Sequence, residues 1–112
     1  MGRRRVDQHY KIPNSVVKVV ETIIQDYPRR KRLIEYSTLT NELVVNEYVR
    51  LNRIIETAIE REEPVVSSMI VFDIINSRGY NFSEATNIAS KNLYYRVKRQ
   101  LIENIAENIH LL

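Results

Sequence analysis

The sequence contains no cysteine and no tryptophan, and it has only two glycines and three prolines among its 112 residues. Without cysteine, the chain offers no disulfide, no thiolate metal ligand and no cysteine nucleophile. The two glycines, Gly2 and Gly79, are too few and too far apart to form a glycine-rich loop that cradles phosphates or a dinucleotide. These absences exclude several large classes of enzyme and predict that the chain has no catalytic function.

Long hydrophobic runs are also missing. The longest, from Val65 to Ile75, is interrupted by Ser67, Ser68 and Asp73 and is too short to cross a bilayer. No apolar stretch follows the arginines near the amino end, so we expect no secretory signal. Length and composition fit one globular domain. We expect a cytoplasmic protein, away from membranes.

Charge is distributed unevenly along the chain. The net charge is +3, but residues 1–32 carry +6, residues 33–63 carry −4, and the segment from Lys91 to Arg99 has four basic residues and no acid. Segregated basic patches indicate an anionic partner. A solvated helix face next to a basic tail would explain the same pattern equally well.

The first part of the chain predicts a basic arm followed by a helix. Residues 1–12 carry no periodicity and are expected to form a flexible arm. Pro13 suits the first turn of a helix, and Pro28 is expected to end that helix. The apolar residues fall at helical spacing, although the β-branched ones leave a strand as an alternative; the stripe is Val16, Val20, Ile23 and Tyr27.

The segment from Arg29 to Glu62 has neither proline nor glycine and predicts a long helix or a pair of helices. The capping residues of Ser37–Asn41 are the point at which it could divide. An apolar seam repeats at steps of four and three; its members are Val44, Tyr48, Leu51, Ile55 and Ala58. The seam could face the protein's own core or a partner.

Three helices are predicted after residue 62. The first follows Glu62-Glu63-Pro64, spans Val65 to about Ser77 and is apolar almost all round, with Gly79 as its left-handed stop. A short one opens near Ser83, and a last one, capped by Ser90-Lys91-Asn92, runs to the carboxyl end. We therefore predict an all-α protein in which residues 13–62 form a supporting or oligomerising segment and residues 63–112 form a helix-turn-helix region.

In a helix-turn-helix unit, the last helix lies in the DNA major groove with its first residues toward the base edges. Here Val97 and Leu101 should face inward, while the polar side chains of the same helix project outward. Arginine and asparagine can pair with guanine and adenine, and lysine and tyrosine suit phosphates. The free N–H groups near Ser90 suit a phosphate as well.

From about Asn52 to Ile109 the chain resembles the RinA and ArpU type of small phage transcription regulators, whose carboxyl part is similar to region four of sigma factors. The resemblance rests first on the helical segments 52–63 and 64–77, which lead into Gly79-Tyr80-Asn81-Phe82-Ser83-Glu84. It rests further on Ser90-Lys91-Asn92-Leu93-Tyr94-Tyr95-Arg96-Val97-Lys98-Arg99 and on Leu101-Ile102-Glu103-Asn104-Ile105-Ala106. The turn Asp26-Tyr27-Pro28 is a weaker match. Between Glu84 and Ala89 the chain is one or two residues shorter than the family pattern.

The resemblance implies a sequence-specific activator of late phage genes that binds double-stranded DNA, with RNA polymerase as a further partner. It assigns base reading to Lys91, Asn92, Tyr95 and Arg96, and phosphate contacts to Lys98 and Arg99, with Ser90 at the helix start. Because a single recognition helix needs a second copy for useful specificity, we expect a homo-oligomer.

Two further basic clusters are candidates for phosphate contacts. Arg29, Arg30, Lys31 and Arg32 oppose the dipole at a helix start, and a phosphate contact there would offset that cost. Arg3, Arg4 and Arg5 could enter a minor groove as an arm. His9 and His110 have no companion ligand at a suitable spacing, so we predict neither a metal site nor a cofactor.

Two alternatives remain open on the sequence. One is a non-catalytic helical protein that self-associates or grips a protein partner through the 44–58 seam and the 65–75 helix. The other is a small DNA-packaging, terminase-like subunit that assembles into a ring.

Overall fold

The computed structural model describes residues 12–36 and 41–112. Within them the chain forms α1 (Asn14–Gln25), α2 (Tyr27–Glu35), α3 (Glu42–Arg61), α4 (Pro64–Ile75) and α5 (Lys91–Asn108). Two short 3₁₀ turns, Tyr80–Phe82 and Glu84–Asn87, connect α4 to α5, and this part of the chain contains no strand. The predicted all-α class is confirmed.

The predicted arm includes one residue that belongs to the core. Ile12 is 4% exposed and packs with the buried residues of the helices. The prediction that the arm extends to residue 12 is therefore wrong. Burying an apolar side chain next to the helix start stabilises the fold by more than the conformational entropy that the side chain loses. The arginines Arg3, Arg4 and Arg5 lie outside the described residues.

The first helix ends earlier than its prolines predict. α1 begins directly after Pro13, as expected, but it ends at Gln25 rather than at Pro28. Pro28 lies in the first turn of α2, where its missing N–H leaves no hydrogen bond unmade. The strand alternative for this segment is wrong.

The chain divides into α2 and α3 at the segment of capping residues where the sequence analysis allows a break. The side chain of Asn41 accepts hydrogen bonds from the backbone N–H groups of Leu43 and Val44, at 2.9 and 3.3 Å. These bonds satisfy donors that the first turn of a helix leaves free. α3 then packs against α2, α4 and α5.

One hydrophobic core holds these helices together. α1, α3, α4 and α5 all contribute fully or almost fully buried side chains, among them Ile24, Ile55, Ile70 and Leu101. On α5 the predicted inward positions of Val97 and Leu101 are confirmed, and Tyr94 and Ile105 are buried on the same side. The seam on α3 is buried at Ile55 and Ala58, so that part of it faces the protein's own interior.

The end of α4 uses a different left-handed residue from the predicted one. Ser77 has a φ of 55°, whereas Gly79 has a φ of −98°. The N–H of Arg78 donates to the carbonyl of Asp73 at 2.7 Å, and the N–H of Ser77 donates to that of Ile74 at 3.2 Å. This is a Schellman ending with serine in the glycine position. The prediction that Gly79 stops the helix is wrong.

Side-chain hydrogen bonds and burial fix the connection between α4 and α5. Ser83 is buried, and its hydroxyl accepts from the N–H of Ala85 at 2.9 Å, which starts the second 3₁₀ turn. Ala85 is buried and this turn packs on α4. The short helix expected in this region is therefore a four-residue 3₁₀ turn, and three residues separate it from the start of α5.

Candidate nucleic-acid interface

The amino end of α5 is exposed and well defined. The hydroxyl of Ser90 accepts a hydrogen bond from the N–H of Leu93 at 3.1 Å, which makes Ser90 the cap that the sequence predicts. Ser90, Lys91 and Asn92 are all exposed. Other N–H groups of the first turn have no partner within the helix and can meet a negatively charged group.

The two sides of α5 differ in burial. Tyr94, Val97 and Leu101 are at most 1% exposed and anchor the helix in the core. Asn92 and Arg96 lie four residues apart, so they share the opposite side, and both are exposed. Arg99, on the same side, is half-buried. The first turns of α5 therefore present an amide and a guanidinium together.

Two of the predicted site residues lie to the side of this exposed face. The Tyr95 ring is half-buried and meets the Tyr94 ring edge-on, with centroids 5.1 Å apart. Lys98 has a side chain that is 15% exposed, and its Nζ lies 3.7 Å from Glu21 Oε2 on α1. A phosphate at Lys98 would have to compete with that carboxylate. Both residues link α5 to its surroundings.

Arg96 borders a shallow depression next to the junction of α3 and α4. The depression has a volume of about 390 Å³. Its lining includes Arg61, Glu62, Glu63, Pro64, Arg96 and Gln100. Two carboxylates therefore lie in the neighbourhood of Arg96, and the positive field on this side of α5 is partly balanced.

A buried hydrogen bond fixes α5 to α4. The hydroxyl of Tyr94 donates to Asp73 Oδ2 at 2.7 Å, and both side chains are 1% exposed. Burial and the neighbouring Asp73 carboxylate raise the pKa of Tyr94 well above its ordinary value of 10, so the phenol stays protonated. The sequence analysis missed this pair, because Asp73 appears there only as an interruption of an apolar run.

Tyr80 fixes the connection to the same helix. Its hydroxyl donates to the carbonyl of Ala89 at 2.7 Å, and its ring lies edge-on to Tyr94 with centroids 5.2 Å apart. The 3₁₀ connection and the start of α5 are thus held in one fixed arrangement. The exposed face of α5 is therefore preorganised.

The basic turn of α2 divides into buried and exposed residues. Arg30 is 2% exposed; its Nε donates to Asn52 Oδ1 at 2.6 Å and its Nη2 to the Ile23 carbonyl at 2.7 Å. Burial lowers the pKa of Arg30 below its ordinary value, although Asp26 opposes the shift. The prediction that Arg30 contacts phosphate is wrong, because its guanidinium is used inside the fold. Lys31 and Arg32 are exposed.

Arg29 is exposed but paired. It makes two hydrogen bonds to the carboxylate of Asp26, at 2.7 and 2.8 Å, and a third to the hydroxyl of Tyr48 at 3.2 Å. The hydrogen bonds from Arg29 lower the pKa of Asp26. The acid that precedes the basic cluster therefore neutralises part of it.

The described ranges contain no group of three or more histidine and acidic side chains that could hold a metal ion. His110 is exposed, and His9 lies outside these ranges. None of the helices found in residues 12–36 and 41–112 combines the length and the hydropathy needed to cross a membrane. Compared with protein-family models, with curated proteins and with solved structures, the chain matches none of them.

Proposed function

We propose that this chain is a non-catalytic, sequence-specific regulator of transcription that binds double-stranded DNA with the first turns of α5. The observation that carries the proposal is that Asn92 and Arg96 are both exposed on one helix. The buried hydrogen bond between Tyr94 and Asp73 fixes that helix to α4. Asparagine and arginine are the side chains that pair with two atoms of adenine and guanine. Binding through a preorganised helix avoids the cost of ordering it.

In this proposal, α4, the 3₁₀ connection and α5 act as a helix-turn-helix unit. The second 3₁₀ turn packs on α4 and lies between α4 and α5 in the chain, and we assign to it the part that the middle helix has in such a unit. This arrangement agrees with the resemblance to the RinA and ArpU regulators, which rests on the residues quoted above. By the same resemblance, RNA polymerase is a partner of the DNA-bound protein.

The site residues take different roles. Asn92 and Arg96 read bases, while Lys91, Arg99 and the N–H groups beside Ser90 hold phosphates. Tyr95 and Lys98 are positioning residues, because the first packs on Tyr94 and the second lies close to Glu21. Lys31 and Arg32 of α2 stay candidates for a phosphate contact, as do Arg3, Arg4 and Arg5, which lie outside the described residues.

In this proposal the protein binds DNA together with a second copy of the chain. Val65 and Phe72 lie seven residues apart on the same side of α4 and are 63% and 49% exposed. Exposed apolar side chains of this size favour contact with another protein surface. The same observation favours the second candidate function, a helical interaction protein that does not bind DNA.

The decisive experiment measures duplex binding as a function of salt. Duplexes enriched from a random library serve as the target, and Arg96→Ala is compared with Lys18→Ala, an exposed residue on α1. We expect Arg96→Ala to weaken binding and to relax the preference for one base pair, because a base contact is lost, and to lower the salt slope by up to about one, because a positive charge leaves the groove between the phosphates. Lys18→Ala should leave the slope unchanged.

The variant Asn92→Ala distinguishes base recognition from non-specific electrostatic attraction to DNA. It should relax the preference for one base pair while leaving the salt slope as it is, because asparagine carries no charge. If no duplex is enriched, or if Arg96→Ala and Lys18→Ala behave alike, α5 is not the reading helix. Sedimentation of the free chain then tests the interaction protein, and a ring-sized particle would favour the packaging subunit.

A further inference from the structure

A groove lined by arginines lies on one side of α3, a helix that also carries glutamates outside the groove. The groove has a volume of about 340 Å³, runs along this helix and is closed at one side by Asn108, the last residue of α5. Val49 and Ile54 supply its apolar lining, and Arg50, Arg53 and Arg61 supply its charge. We refer to these six residues as the α3 groove.

The charge of the α3 groove is only partly neutralised. Arg50 makes two hydrogen bonds to Glu47, at 2.9 and 2.8 Å. Arg53 and Arg61 are exposed and form no ion pair with any other part of the described chain. Among the residues that the structure describes, no acid lines the groove itself, although Arg61 also lines the depression that contains Glu62 and Glu63. Two of its three guanidinium groups are therefore available to an anionic ligand.

The spacing of the arginines indicates an extended ligand. Arg50 and Arg61 are eleven residues apart in sequence, which corresponds to about 16 Å along an α-helix. A single carboxylate or phosphate cannot reach both of them. A peptide segment with acids at intervals can, and its apolar side chains would find Val49 and Ile54 between the charges.

The shape and chemistry of the groove favour a peptide over a nucleic acid. A DNA duplex is convex and its phosphates gain nothing from an apolar floor, whereas peptide recognition commonly combines apolar anchors with a charged rim. Residues 1–11 of this chain carry four basic residues and one acid, so they would be repelled. We propose that the α3 groove binds an acidic, partly apolar segment of a partner protein.

This site extends away from the proposed DNA-reading face, although Arg61 lines both the groove and the depression beside Arg96. Asn108 lies sixteen residues after Asn92 on the same helix, a distance of about 24 Å. Binding at the groove therefore does not require binding at the amino end of α5, and the failure of either proposal leaves the other intact. Where both hold, the protein links a duplex to a second protein.

The test uses the full chain against a displayed library of random peptides of about twelve residues, the length of about three helical turns. Selection on the wild type should enrich peptides that combine several aspartates or glutamates with leucine or another large apolar residue. An enriched peptide is then titrated against wild type, Arg53→Glu and the control Lys18→Glu, which makes the same charge change on α1. Circular dichroism confirms that each variant is folded.

We expect Arg53→Glu to weaken binding of the enriched peptide about fivefold or more, because an attraction becomes a repulsion. Lys18→Glu should bind as the wild type does, and the peptide with its acids replaced by amides should bind weakly. Neutral or basic peptides after selection, or equal binding by Arg53→Glu, would overturn the proposal. Displacement of the peptide by duplex DNA, or by self-association of the chain, would overturn it in favour of those occupants.

Discussion

Arg29 and Arg30 are neighbours in sequence, but the fold uses them differently. The first is exposed on the surface of α2 and the second is enclosed between α1, α2 and α3. A buried guanidinium is tolerated because the Asn52 side chain, the Ile23 carbonyl and Asp26 satisfy its donors. Removing it takes the donor away from buried Asn52 Oδ1 and from the Ile23 carbonyl, whereas Asp26 keeps its hydrogen bonds from Arg29.

Arg30→Ala should therefore lower the free energy of unfolding by about 3 kcal/mol, because it empties a buried site and takes the donor from those two acceptors. Urea unfolding followed by circular dichroism measures the loss. Arg29→Ala is the matched control and should have a far smaller effect, since solvent screens its contact with Asp26. Equal losses for the two variants would contradict the burial of Arg30.

Tyr27 gives the protein a pH dependence in the alkaline range. Its hydroxyl donates to Glu56 Oε2 at 2.6 Å, and burial together with that carboxylate raises its pKa to about 12. Because the pKa of Tyr27 is higher in the folded than in the unfolded chain, the stabilising contribution of the protonated hydroxyl is complete below pH 10. It is lost as the pH rises from 10 to 12.

We expect stability to fall between pH 10 and 12, and we expect Tyr27→Phe to reduce that fall. Tyr94 adds a further loss in strongly alkaline solution, since its pKa is raised in the same direction. Urea midpoints measured across this range test the prediction. An unchanged pH profile in Tyr27→Phe would show that the tyrosine is not coupled to Glu56.

At the scale of the element, the end of α4 offers a direct comparison of two neighbouring positions. Ser77→Gly should stabilise the protein by about 0.5–1 kcal/mol, because glycine adopts a positive φ without the steric cost that serine bears. Gly79→Ala should be neutral or slightly stabilising. A methyl group there would meet only the Tyr95 hydroxyl, at 3.9 Å, and the backbone φ is an ordinary one.

Thermal unfolding of the two variants tests this assignment. If Gly79→Ala were strongly destabilising and Ser77→Gly had no effect, the left-handed residue would be Gly79, as the sequence predicts. The two outcomes are opposite in sign, so one pair of melting curves distinguishes them.

Local signals in the sequence predicted the elements well where the deciding interactions were local. Asn41 and Ser90 cap helices with their own side chains, two or three residues ahead. The end of α4 was not predictable in this way, because either Ser77 or Gly79 could take the left-handed position. The carbonyls of Asp73 and Ile74 decide between them through the hydrogen bonds they accept.

The candidate site was predictable only in part for a related reason. Helical periodicity identifies Val97 and Leu101 as buried and Asn92 and Arg96 as exposed. It carries no information on what lies beside the helix. The approach of Glu21 to Lys98, the enclosure of Arg30 and the groove along α3 all depend on how separate helices pack.

At the scale of the whole molecule, the outer side of α4 bears on the number of subunits. If the proposed second copy packs there, Phe72→Glu should convert the wild-type oligomer to a monomer, because a charge would enter an apolar contact. Leu43→Glu is the control, since Leu43 is 79% exposed on α3. Analytical ultracentrifugation at a series of concentrations measures both.

If the wild type sediments as a monomer at high concentration, the proposal that a second copy of the chain takes part is wrong. In that case the exposed Val65 and Phe72 would be ordinary surface residues. An oligomer that Phe72→Glu leaves intact would place the contact on another surface.

The edge-on rings of Tyr80, Tyr94 and Tyr95 also give the protein an intrinsic spectroscopic signal. No indole is present in the chain to mask phenol absorption and emission. Edge-on rings 5.1 and 5.2 Å apart produce exciton effects in near-ultraviolet circular dichroism that depend on their mutual angle. A titration of unlabelled protein can therefore report whether α5 shifts on its support when it meets a ligand.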